Sequence, residues 1–368
     1  MTRPGSVTIE RGEILVYRLL DVADQVDLAL VESLLRERPG SSRLQLRPRG
    51  EAFVVKNAPL LVPLGRDDVE IAGRRFAAET FARVWDYGVV SINFRIALDP
   101  SSEWQQLVAL AAAVEATHVF HDIARRRSGE LVDRLAPAFR GVHEWDQIED
   151  YTIFFLERIA GIERAFDLID RVDVPALILA EADDPLAEAQ RKPVLESTRQ
   201  YSTADLAVID WNSALVVEPS GIRDVPDVIE IALTQLMEFR YYDELLDDKL
   251  GVLYRAVGQR RTSLLRTDYR RLSREASALY MEISEFVERI ENSLKFVGDF
   301  YLATIFRTAV SRFRLTEWEE NVTRKMEVVA RVAEMLNAEV NARRSEVLEI
   351  VVVLLIVFEI VWAVVGYR

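Results

Sequence analysis

Cysteine is absent from the 368 residues, which excludes disulfides, thiolate metal sites and cysteine nucleophiles. Histidine occurs only three times, at 118, 121 and 143. Glycine-rich phosphate loops are missing: neither G-x-x-x-x-G-K-[ST] nor G-x-G-x-x-G occurs, and no G-x-S-x-G elbow marks a hydrolase serine. Lysine is scarce, five residues against 41 arginines. The opening MTRPGSVTIERGEI has charges and no apolar run, so no secretory signal is expected there.

What the chain does have is acid and hydrocarbon. Its balance of 46 basic and 60 acidic residues gives −14, so nucleic acid or anionic lipid would have to bind through a local patch. Half the residues are hydrophobic and 29% are charged, ample material for a core. The length suits two folded units plus an anchor.

The first part reads as α/β. Residues 13–20 (EILVYRLL) predict a strand, and residues 24–36 carry Leu28, Val31, Leu34 and Leu35 on one helical face. Short apolar runs follow at 53–55 and 60–64. Val90, Ile92, Phe94, Ile96 and Leu98 alternate with Ser91, Asn93 and Arg95, a strand with one polar face. A helix over 102–127, a strand from Tyr151 and a hairpin turning at Asp210-Trp211-Asn212-Ser213 are expected next. Asp86-Tyr87-Gly88 and Asp210-Trp211-Asn212 are read as turn geometry rather than chemistry. Past Pro226 proline all but disappears, and the pattern becomes one of long helices.

Residues 350–365 form an apolar run with a single charge, Glu359. At ~1.5 Å per residue this stretch is about 24 Å long, against a hydrocarbon core of ~30 Å; residues 345–368 reach about 36 Å. A buried helix is the alternative, and Glu359 favours it, since a mid-bilayer carboxylate costs about 2.5–3.5 kcal/mol. About a dozen apolar residues outweigh that cost at a few tenths of a kcal/mol each. A membrane span is therefore expected, with Ile350, Leu354, Val357, Glu359, Val361 and Trp362 in the bilayer and the bulk of the chain cytoplasmic, on the Arg343–Arg344 side.

Upstream, Val322, Met326, Val329, Ala333, Leu336 and Val340 are spaced 4, 3, 4, 3, 4, a coiled-coil seam that continues through Val347 into the apolar run. It could close within one chain or between copies, so a homo-oligomer is expected alongside intramolecular packing. Residues 255–274 hold seven arginines; Arg260, Arg261, Arg266, Arg270, Arg271 and Arg274 could hold RNA phosphates or lipid headgroups. The alternative is pairing with Asp243, Asp247 and neighbouring acids. His118 and His121, at i, i+3, are a metal-pair candidate, but two ligands fall short of a site; no metal, cofactor or small-molecule substrate is expected.

WDYGVVSINF, RQYSTADLAVIDWNSALVVEP and EVLEIVVVLLIVFEI resemble the family "required for meiotic nuclear division", a domain family of unknown function. The resemblance implies a membrane-anchored factor, in one branch supporting organellar translation, and it defines no catalytic motif. The expectation is thus an α+β chain: an N-terminal α/β domain (1–222), a coiled-coil-like helical stalk (223–344) and a C-terminal transmembrane anchor (345–368). Its work is expected to be non-enzymatic, as a tail-anchored, self-associating scaffold that positions a partner at the membrane. A ribosome- or RNA-associated factor using the arginine stripe is the alternative.

Overall fold

The computed structural model of the chain describes residues 7–35, 41–44, 57–258, 266–293 and 300–365. The elements begin with β1 (Thr8–Asp21), β2 (Ala23–Val26), α1 (Leu28–Leu34), β3 (Ser42–Arg43), β4 (Leu60–Ile71), β5 (Arg74–Val84) and β6 (Val89–Ala97). Next come β7 (Ser102–Glu103), α2 (Trp104–Glu115), α3 (Val119–Arg134), β8 (Phe139–Val142) and β9 (Glu149–Ile159). Three short helices, α4 (Asp167–Arg171), α5 (Val174–Ile178) and α6 (Glu188–Glu196), precede β10 (Thr198–Arg199), β11 (Leu206–Ile209) and β12 (Ser213–Val217). Four helices complete the chain: α7 (Asp224–Gly258), α8 (Arg266–Ser293), α9 (Phe300–Arg312) and α10 (Leu315–Val365). The fold is α+β, with an N-terminal mixed sheet and C-terminal helices.

Two compact units form, Met1–Tyr241 with Glu291–Glu317, and Tyr242–Ile290 with Trp318–Arg368. The first holds a ten-stranded sheet in the order β10-β11-β12-β9-β1-β6-β5-β4-β3, with β7 added to β1. Its pairings are antiparallel except β12 with β9. β2 and β8 pair separately.

Register sorts the side chains into two cores. Ile14 and Val16 of β1 lie level with Ile96 and Phe94 of β6 and with Phe154 and Thr152 of β9, and α2 and α3 cover this face. Phe120 of α3 packs on Phe94 with ring centroids 5.1 Å apart. Tyr17, Asn93 and Arg83 belong to the opposite face, which α7 covers through Asp227 and Glu230. Helices on both faces explain why β1 reads as a nearly continuous apolar run.

Several expectations shift. The polar face of β6 does not meet water: Ser91 is fully buried and Asn93 nearly so, because α7 brings carboxylates to them. The helix expected over 102–127 is two helices bent by 58°; at the break the Thr117 hydroxyl accepts a hydrogen bond from the Val119 amide, competing with helix continuation. Of the helix expected over 24–36, Leu28–Leu34 forms among the described residues, because Gln25 and Val26 pair with Arg140 and Phe139. The run at 53–55 lies outside the described residues. The run at 60–64 opens β4, where Pro63 sits at a register shift and its missing N–H is tolerated. Strand β6 and the β11–β12 hairpin form as expected.

Gly88, at the β5–β6 turn, requires glycine. Its φ is +102°, and an added Cβ would lie 1.5 Å from the Ala23 carbonyl oxygen. The Gly88 carbonyl accepts from the Val22 amide at 3.2 Å and the Asp86 carbonyl from the Val26 amide at 2.8 Å, so this turn docks the β1–β2 corner.

The second unit is helical. Apolar stripes at helical spacing are buried on each helix: Leu246, Leu250 and Leu253 of α7, Leu272, Ala276, Leu279 and Ile283 of α8, and Val322, Met326, Val329, Ala333 and Leu336 of α10. Lys325 of α10 ties to α7, with Nζ 2.8 Å from Asp243 and 2.7 Å from Asp247.

Candidate functional site

On the α2 face of the sheet, a cavity of about 210 Å³ is lined by Glu115, Thr152 and the 210–213 turn, among others. The turn is fixed from beneath. The Tyr151 hydroxyl proton is shared between the carbonyls of Asp210 (2.9 Å) and Ser213 (2.8 Å), and Ser213 Oγ donates to the Ile178 carbonyl at 2.7 Å. Arg312 of α9 pairs with the Asp210 carboxylate. Trp211 at the tip is 41% exposed.

Close to Glu115 lies a polar cluster that sequence reasoning missed. Arg18 of β1 is buried, donates from Nη1 to the Tyr17 carbonyl at 2.8 Å, and lies 5.7 Å from the Phe120 ring centroid. Its Nε has no partner. Burial pulls the Arg18 pKa down, against the attraction of Asp150 and Glu115. Burial also raises the Glu115 carboxyl, helped by the like charge of Asp150. His121 is pulled down by burial and then by Arg18, and its Nδ1 is buried without a partner. One signal was legible: a lone arginine inside the apolar run EILVYRLL, where a charge must be answered from elsewhere in the fold.

The histidines do not converge. His118 and His121 stand edge to face with ring centroids 5.9 Å apart. His143 lies flat on Tyr241 at 4.6 Å, with Nε2 3.2 Å from Asp21 and Nδ1 3.1 Å from the Gly141 carbonyl. Among the described residues, no group of three His, Asp or Glu side chains is placed to hold a metal ion.

On the other face of the sheet, Arg83 donates from Nη2 to Asp227 and from Nη1 to Glu230, both at 2.5 Å. Asn93 donates to the second oxygen of Glu230 at 3.1 Å, and the Tyr87 hydroxyl donates to Thr234 at 2.7 Å. Burial raises the Glu230 carboxyl, with Arg83 opposing it. Arg240 pairs with Glu149 farther along α7. This network fastens α7 to the sheet.

In the second unit, the seam residues Val322, Met326, Val329 and Leu336 are already buried within one chain. Packing within one chain thus accounts for the burial of these four side chains; the side chains of Val340 and Val347 lie outside the described residues. Beyond them, α10 changes character. Leu348, Ile350, Val351, Val352, Val353, Leu354, Leu355, Ile356, Val357, Phe358, Ile360 and Trp362 are each between 45% and 71% exposed. Glu359 is exposed among them, and Phe358 stacks on Trp362 with centroids 6.1 Å apart. The Val361 side chain lies outside the described residues. Among the described residues, no single helix is long and apolar enough to cross a membrane. The apolar run follows Glu349, is interrupted by Glu359, and is shorter than a hydrocarbon core.

The arginine stripe is only partly described. Arg260 and Arg261, and the side chains of Arg266 and Arg270, lie outside the described residues. Arg271 pairs with Glu275 at 3.6 Å on the surface. Among the described residues, Asp243 and Asp247, two of the acids that could neutralise the stripe, pair with Lys325.

Residues 11–224, from the bulged start of β1 to the first residue of α7, match the family described as "Uncharacterized protein MJ0711, N-terminal domain". A relative, "Uncharacterized protein MJ0711" of Methanocaldococcus jannaschii, is 23% identical over 238 residues, covering 64% of this chain and 71% of that protein. Neither match points to the meiotic nuclear division family, and the expected membership is corrected accordingly. The quoted segments that suggested it are mainly sheet strands and turns plus an apolar helix, whose composition many sheets and helices share. With more than half of its length matched, this chain belongs to the family of the MJ0711 N-terminal domain.

Proposed function

We propose that the chain is a non-enzymatic scaffold, held at a membrane by the apolar end of α10 so that its α+β unit positions a partner there. The carrying observation is the exposure of residues 348–360 on every side of the helix, with Trp362 exposed beyond them. A helix that is apolar all round requires an apolar environment. Its aliphatic and aromatic residues each favour insertion by about 0.3–0.6 kcal/mol, which together outweighs Glu359. The shortfall of roughly 6 Å against a ~30 Å core is met by local bilayer thinning, at fractions of a kcal/mol per Å. Arg343 and Arg344 precede the run, and the positive-inside tendency assigns that side to the cytoplasm. The proposal does not depend on self-association, because Val322, Met326, Val329 and Leu336 are buried within one chain.

Flotation of the full chain with phosphatidylcholine vesicles tests this. The chain is expected to rise with the vesicles and to stay bound after alkaline carbonate washing, while a Leu354→Arg, Val357→Arg variant stays at the bottom of the gradient. Recovery of the unaltered chain at the bottom overturns the proposal.

A further inference from the structure

A second cavity of the first unit, about 320 Å³, is lined by Arg199, Arg307 and Arg312 together with Thr304, Thr308 and Ser311, with Glu196 the acid among its walls. Three guanidinium groups around one hollow are conspicuous in a chain of net charge −14. They are not equivalent. Arg312 is neutralised by Asp210. Among the described residues, no carboxylate lies within salt-bridge distance of Arg199 or Arg307.

Arg199 is held in place by its other donors. Its Nε donates to Thr308 Oγ1 at 2.9 Å, and its Nη1 donates to the carbonyls of Thr198 and Glu196 at 2.7 and 3.1 Å. Those bonds orient the guanidinium and, among the described residues, leave Nη2 without a partner. Arg307 donates from Nη2 to Thr304 Oγ1 at 3.1 Å, with its guanidinium carbon 5.6 Å from the Phe300 ring centroid. The hydroxyls of Thr304 and Thr308 donate to their own helix at the carbonyls of Phe300 and Thr304, so their oxygens serve to aim the arginines. Thr304, Arg307, Thr308, Ser311 and Arg312 are spaced i, i+3, i+4, i+7, i+8 and therefore share one face of α9.

We propose that this hollow binds a phosphomonoester dianion through Arg199, Arg307 and Ser311. Two uncompensated guanidinium groups match the charge of a dianionic phosphoryl group, and their planar donors suit its oxygens better than a single carboxylate would. The volume leaves room for the organic part of a small ester as well as for the phosphoryl group. Binding here is independent of the membrane proposal, because every residue of the hollow belongs to the first unit.

The test is equilibrium binding of radiolabelled inorganic phosphate to the full chain in detergent, followed by glycerol phosphate in solution and phosphatidate in detergent micelles. Inorganic phosphate is expected to bind below about 1 mM, with acetate failing to compete. Arg307→Gln is expected to weaken binding by about tenfold or more, while Arg66→Gln, at an exposed pair elsewhere, leaves it unchanged. Arg307 is exposed, so its replacement keeps the fold intact, which circular dichroism verifies. Tighter binding of glycerol phosphate identifies a soluble ester; binding only of phosphatidate identifies a lipid headgroup. No binding of any of the three up to about 10 mM overturns the proposal, as does equal binding by the Arg307→Gln variant.

Discussion

Arg83 of β5 and Glu230 of α7 meet 2.5 Å apart with almost no exposure on either side chain, 147 residues apart in the chain. Breaking a buried pair from one side leaves the other charge uncompensated, at about 3–5 kcal/mol. Arg83→Ala is therefore expected to cost that much in urea unfolding, since it strands both Asp227 and Glu230. Glu230→Gln, which keeps hydrogen-bonding capacity and removes a charge that burial already disfavours, is expected to cost less. Equal losses for the two variants count against the assignment.

His143 offers a pH-dependent test. Burial lowers its pKa, but the hydrogen bond and charge of Asp21, the Gly141 carbonyl and the Asp24 charge together raise it above 6.5. Asp21 itself is raised, by burial first, with His143 opposing. The other neighbour against the ring is Tyr241. A raised folded value means that the histidine's contribution is complete below its unfolded pKa and is lost as pH rises through the folded one. The stability gap between the natural chain and His143→Gln is expected to shrink as pH rises from about 6 to about 9. A gap that widens over this interval contradicts the protonated imidazolium.

Much of this architecture was legible locally, and what escaped was long-range. The alternation in VVSINFRIA fixes a strand and its two faces, because side-chain period and backbone pleat are the same quantity. It cannot tell whether Ser91 and Asn93 face water or a helix that carries carboxylates. Glu230 sits in DVIEIAL, where its burial is set by Arg83 and Asn93, far away in sequence. The three-residue interruption that splits α2 from α3 is a local contest won by Thr117, too small to override the apolar periodicity of the whole stretch.

The candidate site was less legible than the fold. Arg18 announced itself as a charge in an apolar strand, yet its neighbours Glu115, His121 and Asp150 come from three further elements. The arginines at 199, 307 and 312 come together only because α9 packs near β11. In the helical unit, heptad spacing identified the seam but not its cover, since one stripe serves equally well against a neighbour in the same chain or in another. Lys325, one of five lysines, pairs with Asp243 and Asp247, a contact that no periodicity announces.

Internal closure of that seam carries its own expectation. Leu336 is 2% exposed and Val329 fully buried. Leu336→Ala is expected to destabilise the helical unit by about 2–5 kcal/mol. Because the partners are intramolecular, the denaturation midpoint of the natural chain and the size of this loss are expected to be the same at protein concentrations tenfold apart. A midpoint that climbs with concentration indicates that copies, and not one chain, complete the seam.

Glu359 is the residue that resists a bilayer most directly. It is the tenth position counted from Ile350, roughly 13–14 Å along the helix axis, which places it close to the middle of a ~30 Å core when the run is inserted. An ionisable group at that depth costs about 2.5–3.5 kcal/mol, and leucine there contributes about 0.3–0.6 kcal/mol in the opposite sense. Glu359→Leu is therefore expected to increase partitioning into phosphatidylcholine vesicles by roughly 10²–10³-fold, at about 1.4 kcal/mol per decade. Ser345→Ala, outside the run, serves as the control and leaves partitioning unchanged. If Glu359→Leu and the natural chain partition alike, position 359 does not enter hydrocarbon, and the apolar faces around it must be covered by protein instead.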